Sequence, residues 1–323
     1  MSTPIVSAIA GDRAAGPPMP AREASTPGRG PLRLAAQRLR RDRVAVVSMV
    51  VIVVLVLSAI AAPVVAHLVG HGPDTQYRDT GLTPAGLPVG PSREFLLGTD
   101  GLGRDVLVRV VYGARISLLV GVVSTVLAVT AGVLIGLTAG YYGGVVDVFL
   151  ARFMDAVLSF PFLLLAVALV SIVGPSLTIT VLVIAFFSWA AVGRVVRGQT
   201  LVIKEREYVQ AAHALGAGDL RIMLLDVFPN LIAPVIVYTT LLIPTAIVFE
   251  STLSFLGLGV VPPTPTWGNM LAESLQFYQV AWWFVLFPGL ALLITTLAFN
   301  LLGDSVRDAL DPGTERLFAG GSR

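Results

Sequence analysis

The stretch Arg206–Asn230, REYVQAAHALGAGDLRIMLLDVFPN, is polar and helix-prone and sits between long apolar runs. The chemistry it offers is docking rather than bond-breaking. Glu207 to Leu215 are mostly good helix formers, and Gly216 is suited to end that helix in the left-handed conformation. Ala211, Ala212 and Leu215 then share one face, and small side chains there let another protein surface come close. Leu220 to Val227 predicts a second short helix, ended by Phe228 and Pro229, with an apolar span starting beyond Asn230.

Groups that break bonds or hold ions are few. There is no cysteine, so neither a disulfide framework nor a thiolate metal site is available. His67 and His71 stand at i, i+4 spacing, but in a Gly/Pro context without a third ligand, and His213 is far away in sequence; no metal site is expected. The lone lysine, Lys204, lies between Ile203 and Glu205, so no G-x-x-x-x-G-K-[ST] phosphate loop exists in the chain. No cluster of His, Asp or Ser at one depth suggests a membrane-embedded enzyme. The expectation is a chain with no catalytic residue and no cofactor of its own.

Among the remaining charges, Glu250 is the clearest ionisable residue inside an apolar run. Such a group is costly in a bilayer and faces protein or water. It is read either as a pathway or gate residue or as a structural pair with an arginine of Leu97–Asp105, LGTDGLGRD; its place toward the outer end of its helix favours the pair. Asp100, Arg104 and Asp105 are read as contacts for an external protein or as helix caps. Gly132, Gly136 and Gly140, at four-residue spacing, form a stripe for close helix approach, read as internal packing.

The elements that must position these residues are membrane helices. The chain is 55% hydrophobic and 13% charged, where a soluble domain carries about 25% charged residues. Its apolar runs approach the roughly 20 residues needed to cross the hydrocarbon as a helix, and no alternating β-barrel pattern appears. The net charge of +2 gives no reason to expect nucleic acid. Residues 1–43 read as a disordered and then basic tail, and 44–65 as a first span that is longer than a signal-peptide core. Residues 66–115 read as a polar connection closing with a short amphipathic surface helix over 105–115.

Residues 116–302 hold five more spans. The third, Val145–Val173, is expected to kink at Pro161. The fifth, Leu231–Leu256, is interrupted by Pro234 and Pro244, and the sixth opens at Trp282 and Trp283, residues suited to a lipid–water interface. The polar loop 193–230 separates the fourth and fifth spans, and 303–323 reads as a polar tail. The basic flank before the first span and the arginines of loop 193–230 fall on one side if there are six spans. The positive-inside rule makes that side cytoplasmic, together with both termini.

At this point the chain resembles the DppC/OppC-type inner-membrane permeases of bacterial peptide and nickel ATP-binding-cassette (ABC) importers. The resemblance runs over most of Leu32–Pro312. It rests on LGTDGLGRD, on YGARISL at Tyr112–Leu118 and on DAVLSFPFLLLA at Asp155–Ala166. It continues through EYVQAAHALGA at Glu207–Ala217, ESTLSFLGLGVVPPTPTWGNML at Glu250–Leu271, and GDSVRDALDP at Gly303–Pro312. Gln210 stands where the family's coupling loop, the EAA motif, usually has Glu.

The resemblance implies an all-α, six-span type I ABC importer permease fold in the inner membrane. It implies ATPase coupling through Glu207, Tyr208, Gln210, Ala211, Ala212, Leu215, Gly216 and Ala217, and binding-protein contact at Asp100, Arg104, Asp105 and Trp267. The implied partners are a DppB-like permease subunit, two DppD/DppF-like ATPases that bind ATP and Mg, and a DppA-like binding protein outside. Di- or oligopeptide is the implied cargo, with nickel or another small solute as the alternative. A secondary transporter is the reading from another class; it needs several ionisable groups at mid-depth, and only Glu250 and, less clearly, Asp155 qualify.

Overall fold

A computed structural model describes residues 31–310. Most of the expected tail over residues 1–31, and the part of the C-terminal tail beyond residue 310, lie outside the described residues. The described chain is helical. Short helices α1 (Pro31–Leu39) and α3 (Ala62–Val69) flank α2 (Arg43–Ile60). A long loop leads to α4 (Val106–Tyr142), followed by α5 (Gly144–Ser159), α6 (Phe162–Val173) and α7 (Leu177–Ile203). Then come α8 (Glu207–Ala214), α9 (Asp219–Ile222), α10 (Phe228–Phe255), α11 (Trp267–Ser274) and α12 (Trp282–Leu310). Among the described residues, five helices are long and apolar enough to cross a membrane, or six if the bent pair α5–α6 counts as one span.

Several boundaries differ from the sequence reading, each for a local reason. The surface helix expected over 105–115 is not a separate element. Asp105 caps α4 by accepting the Val108 amide hydrogen bond at 3.2 Å, and the helix then runs 37 residues without a break. At about 1.5 Å per residue that is some 55 Å, well beyond the roughly 30 Å of hydrocarbon. Residues 303–310, expected in a tail, extend α12, and α1 lies in the region expected to be disordered or basic tail.

The two prolines next to phenylalanine behave differently. At Phe160-Pro161 the chain turns by 85° between α5 and α6, a break rather than the expected kink. At Phe228-Pro229 the expected stop does not occur. A π-helical turn over Met223–Val227 precedes the proline, with the Phe228 amide donating to the Met223 carbonyl, and the helix continues. Widening the turn rearranges the hydrogen bonds around the residue that lacks an N–H, so the chain stays helical from Asp219 to Phe255.

The centre of the bundle is the seam between α4 and α7. A Cβ on Gly132 would lie 2.7 Å from Val192 Cβ and 2.8 Å from the Trp189 carbonyl oxygen; one on Gly140 would lie 2.6 Å from Thr200 Cβ. One on Gly136 would meet the Gly193 carbonyl. The stripe is therefore internal, as read from sequence, and its contacts advance together along both helices, so the two run parallel. α10 and α12 close the other side of α4, where Leu118, Ile247, Trp267, Ala298 and Phe299 form one core.

Gly136→Val is expected to push α4 and α7 apart and to cost about 1–3 kcal/mol or more, the range for overpacking a close-packed seam. Thermal unfolding of the detergent-purified assembly checks this; a midpoint equal to that of the parent would show that the seam is not tight.

Candidate functional site

The loop that opens the sequence reading is built as a compact platform. α8 has one buried residue, Val209, which enters a core with Val133, Leu137, Val192, Val196, Ile222 and Val227. The helix ends in a Schellman motif. Gly216 has φ +80°, its amide donates to the His213 carbonyl at 2.9 Å, and the Ala217 amide donates to the Ala212 carbonyl at 3.1 Å. Ala212 and Ala217 pack against the core, while Glu207, Tyr208, Gln210 and Ala211 are exposed and Leu215 is 88% exposed. Gln210 Nε2 donates to the Glu205 carbonyl at 3.2 Å, which holds the helix to the end of α7.

Sequence reasoning missed the group that fixes this platform to the bundle. Tyr141, at the end of α4, donates its hydroxyl to Asp219 Oδ1 at 3.0 Å and lies 3.2 Å from His213 Nε2. Its ring stacks on His213 at 6.1 Å between centroids. One side chain of α4 thus touches both helices of the loop. No local motif announces this, because the partners are 72 and 78 residues away in sequence.

The same end of the molecule collects the chain's other basic segments. Arg38 of α1 donates to the Ala309 carbonyl of α12 at 3.3 Å. Arg206 and Tyr208 line a crevice of about 650 Å³ together with Arg307 and Leu310. Asp42 caps α2 by accepting the Val44 amide at 2.9 Å. The Ser305 hydroxyl, with help from the Val44 and Ala45 amides, holds the Asp42 carboxyl below its ordinary range against a weaker opposing effect of burial.

At the opposite end, the residues expected to face an external protein turn inward. Asp100, Asp105 and Trp267 are fully buried and Arg104 is nearly so. Asp100 accepts from the amides of Leu102 and Arg104, both at 2.9 Å, and from Arg104 Nε at 2.6 Å. Arg104 and Arg109 share Glu273, at 2.6 and 3.4 Å. Asp105 Oδ2 lies 2.6 Å from His71 Nδ1, a hydrogen bond that ties the loop to the start of α4. Trp267 Nε1 donates to the Val110 carbonyl at 3.0 Å. These side chains hold the loop onto α4 and α11.

Glu250 is corrected in the same way. It is fully buried, and among the described residues no arginine pairs with it. It accepts from Ser117 of α4 at 2.8 Å, from Ser254 at 2.7 Å and from Ser251 at 3.3 Å. A cage of hydroxyls replaces the expected guanidinium. Among the described residues no group of His, Asp or Glu is arranged to hold a metal ion.

The family described as "Binding-protein-dependent transport system inner membrane component" matches residues 132–316. The N-terminal TM domain of oligopeptide transport permease C matches residues 30–84. The chain belongs to the binding-protein-dependent permease family.

Within that family its relatives are of DppC/OppC type. It is 44% identical to the di/tripeptide transport system permease protein DppC of Pseudomonas aeruginosa, over 91% of this chain and 96% of the relative. It is 47% identical to the dipeptide transport system permease protein DppC of Escherichia coli, over 84% of this chain and 90% of the relative. The fold is shared with an inward-facing structure of the MetNI methionine ABC transporter. There the TM-score is 0.52 at 17% identity, covering 63% of this chain and 96% of that one. As a permease subunit of this family, the chain is a non-catalytic, multi-pass inner-membrane component.

Removing one partner of a buried charge pair strands the others, at a typical cost of about 3–5 kcal/mol. Asp100→Ala, which leaves Arg104 and Arg109 with Glu273 as their main counter-ion, is expected to fall in that range. Denaturant unfolding of the purified assembly measures it, and a loss below about 1 kcal/mol would mean that the network carries little.

Proposed function

We propose that this chain is one of two transmembrane subunits of an ABC importer for di- or oligopeptides. A DppB-like subunit completes the path, two DppD/DppF-like ATPases bind ATP and Mg on the cytoplasmic side, and a DppA-like binding protein delivers cargo outside. The observation that carries the reading is the α8 platform. It presents Glu207, Tyr208, Gln210, Ala211 and Leu215 outward while Val209 and the Schellman turn at Gly216 and Ala217 fix it from behind.

An exposed helix with small and flat residues suits a cleft on another protein. A platform bonded to the end of α4 moves with that helix, so closure of the ATPases shifts the bundle between two packed states. The clustering of basic residues at this end supports a cytoplasmic placement of α1, the loop and the end of α12. The opposite end, with its ion-paired loop and α11, then faces the binding protein through the exposed parts of its surface. Peptide as cargo rests on the DppC relatives; nickel or another small solute is the alternative.

Reconstitution of the four-subunit assembly with its binding protein, supplied with labelled dipeptide, longer peptide and nickel in turn, tests the reading. ATP-dependent peptide uptake is expected. Nickel uptake alone would keep the mechanism and replace the cargo, and uptake without the ATPases would remove the coupling role.

Ala211→Glu places a charged side chain on the exposed face without touching the core behind it. It is expected to leave membrane insertion and permease pairing intact and to lower both uptake and stimulated ATPase activity by tenfold or more, about 1.4 kcal/mol of docking energy. Parent-level ATPase stimulation would take Ala211 out of the docking surface.

A further inference from the structure

The α5–α7 flank carries a group of charges away from the coupling platform. Asp147, Arg152, Asp155, Arg194 and Arg197 line one cleft of about 390 Å³, together with Val148, Ala151 and Met154. That volume is at the small end of the range of ligand sites, about 300–1,000 Å³. Arg197 chelates Asp147 through two nitrogens and is part-buried. The Arg194–Asp155 pair is different: its ions are 2.5 Å apart, yet the side chains are 55% and 51% exposed. Arg152, one turn before Asp155 on the same helix, is exposed and has no ion pair or hydrogen bond among the described residues.

The surroundings of the cleft suit a face that meets water or protein better than one that meets lipid. Beyond Pro161, α6 turns by 85°. Phe162 then meets Phe187 of α7 at 5.4 Å and Phe249 of α10 at 3.9 Å between ring centroids. This aromatic roof joins α6, α7 and α10 on the outer side of the charges. Below it the α7 face remains open, with Ala191, Arg194 and Gly198 all exposed. Counted from the start of α7, Arg194 lies 17 residues, or about 25 Å, along the helix axis, a distance shorter than the roughly 30 Å of a hydrocarbon layer. Half-exposed ions at that depth are stable only facing water or protein.

On the reading of the chain as a peptide importer subunit, we propose that this cleft is a transit site for the charged termini of a short zwitterionic peptide. Arg152 and Arg194 receive the C-terminal carboxylate, and Asp155, released from Arg194, receives the N-terminal ammonium. The exchange replaces one exposed ion pair by two, so the cargo is held weakly and leaves easily. Three guanidiniums against two carboxylates give the cleft the excess positive charge that a carboxylate seeks.

The test uses the reconstituted four-subunit importer with its binding protein. Arg152→Gln, Asp155→Asn and Arg194→Gln are each expected to lower dipeptide uptake about tenfold, the loss of one charged hydrogen bond to the cargo. ATPase stimulation by loaded binding protein should stay within about twofold of the parent, because docking of the ATPases is untouched. The double exchange Asp155→Arg with Arg194→Asp keeps a pair but shifts its charges, and it should not restore uptake. Restored uptake in the exchange, or parent-level uptake in all three single variants, would overturn the proposal.

A second readout does not depend on transport by the variants. The chain has no cysteine of its own, so Arg152→Cys is a unique thiol. It should react with a membrane-impermeant sulfonate thiol reagent from the cytoplasmic side. Reaction only with a membrane-soluble maleimide would put the cleft against lipid and reject the site. Parent uptake is the control: if the parent carries no peptide, the importer reading has failed, whereas an active parent with indifferent variants removes only the cleft.

Discussion

The structure depends on how closely α4 and α7 approach. Glycine at positions 132, 136 and 140 removes the side chains that would hold the two helices apart, and Val192, Gly193 and Thr200 fill the space. In a bilayer the surrounding acyl chains are as apolar as leucine, so helix association draws on close packing more than on exclusion of water. A seam in near backbone contact makes two long helices behave as one rigid body. Everything else is attached to that body: the outer loop at one end, the α8 platform at the other, α10 and α12 along its flank.

α4 is therefore the element that touches both ends. Its first turns hold Asp105 and Arg109 inside the outer loop's ion network, Ser117 reaches Glu250 on α10, and Tyr141 fixes His213 and Asp219. Each contact is polar, and on the α4 side Asp105, Arg109, Ser117 and Tyr141 are all buried, so each is held by a specific partner. A buried charge without a partner is strongly destabilising, which makes such contacts strict about geometry. A shift of the platform relative to the outer loop must therefore be carried by movement of packed helices, not by loosening of these bonds.

Legibility varied with the range of the interaction that decides each feature. The α8 helix and its Gly216 turn were readable, because helix propensity and a left-handed glycine are local properties of consecutive residues. The glycine stripe was readable as a packing surface, although not its partner helix. Pro161 and Pro229 look alike in sequence, each following phenylalanine. One became an 85° break and the other was absorbed by a π turn. The difference lies in what the chain beyond each proline packs against: α6 finds Phe187 and Phe249 only by turning, while α10 joins α4 and α12 by continuing straight.

The roles of charged residues were the least legible. Asp100, Arg104 and Asp105 read either as surface contacts or as helix caps; Asp105 is the cap of α4, and the fold closes over all three with Glu273 and His71, both distant in sequence. Glu250 exchanged an expected arginine for serines. The sequence by itself determined what is additive along the chain: the apolar runs that demand a membrane, the lack of a phosphate loop, the α8 helix with its glycine turn, and the family. Only the tertiary structure decided which charges pair, which face a cleft and which helix bends. Those outcomes turn on distances between groups far apart in the chain, and the desolvation of a charge depends on everything that surrounds it.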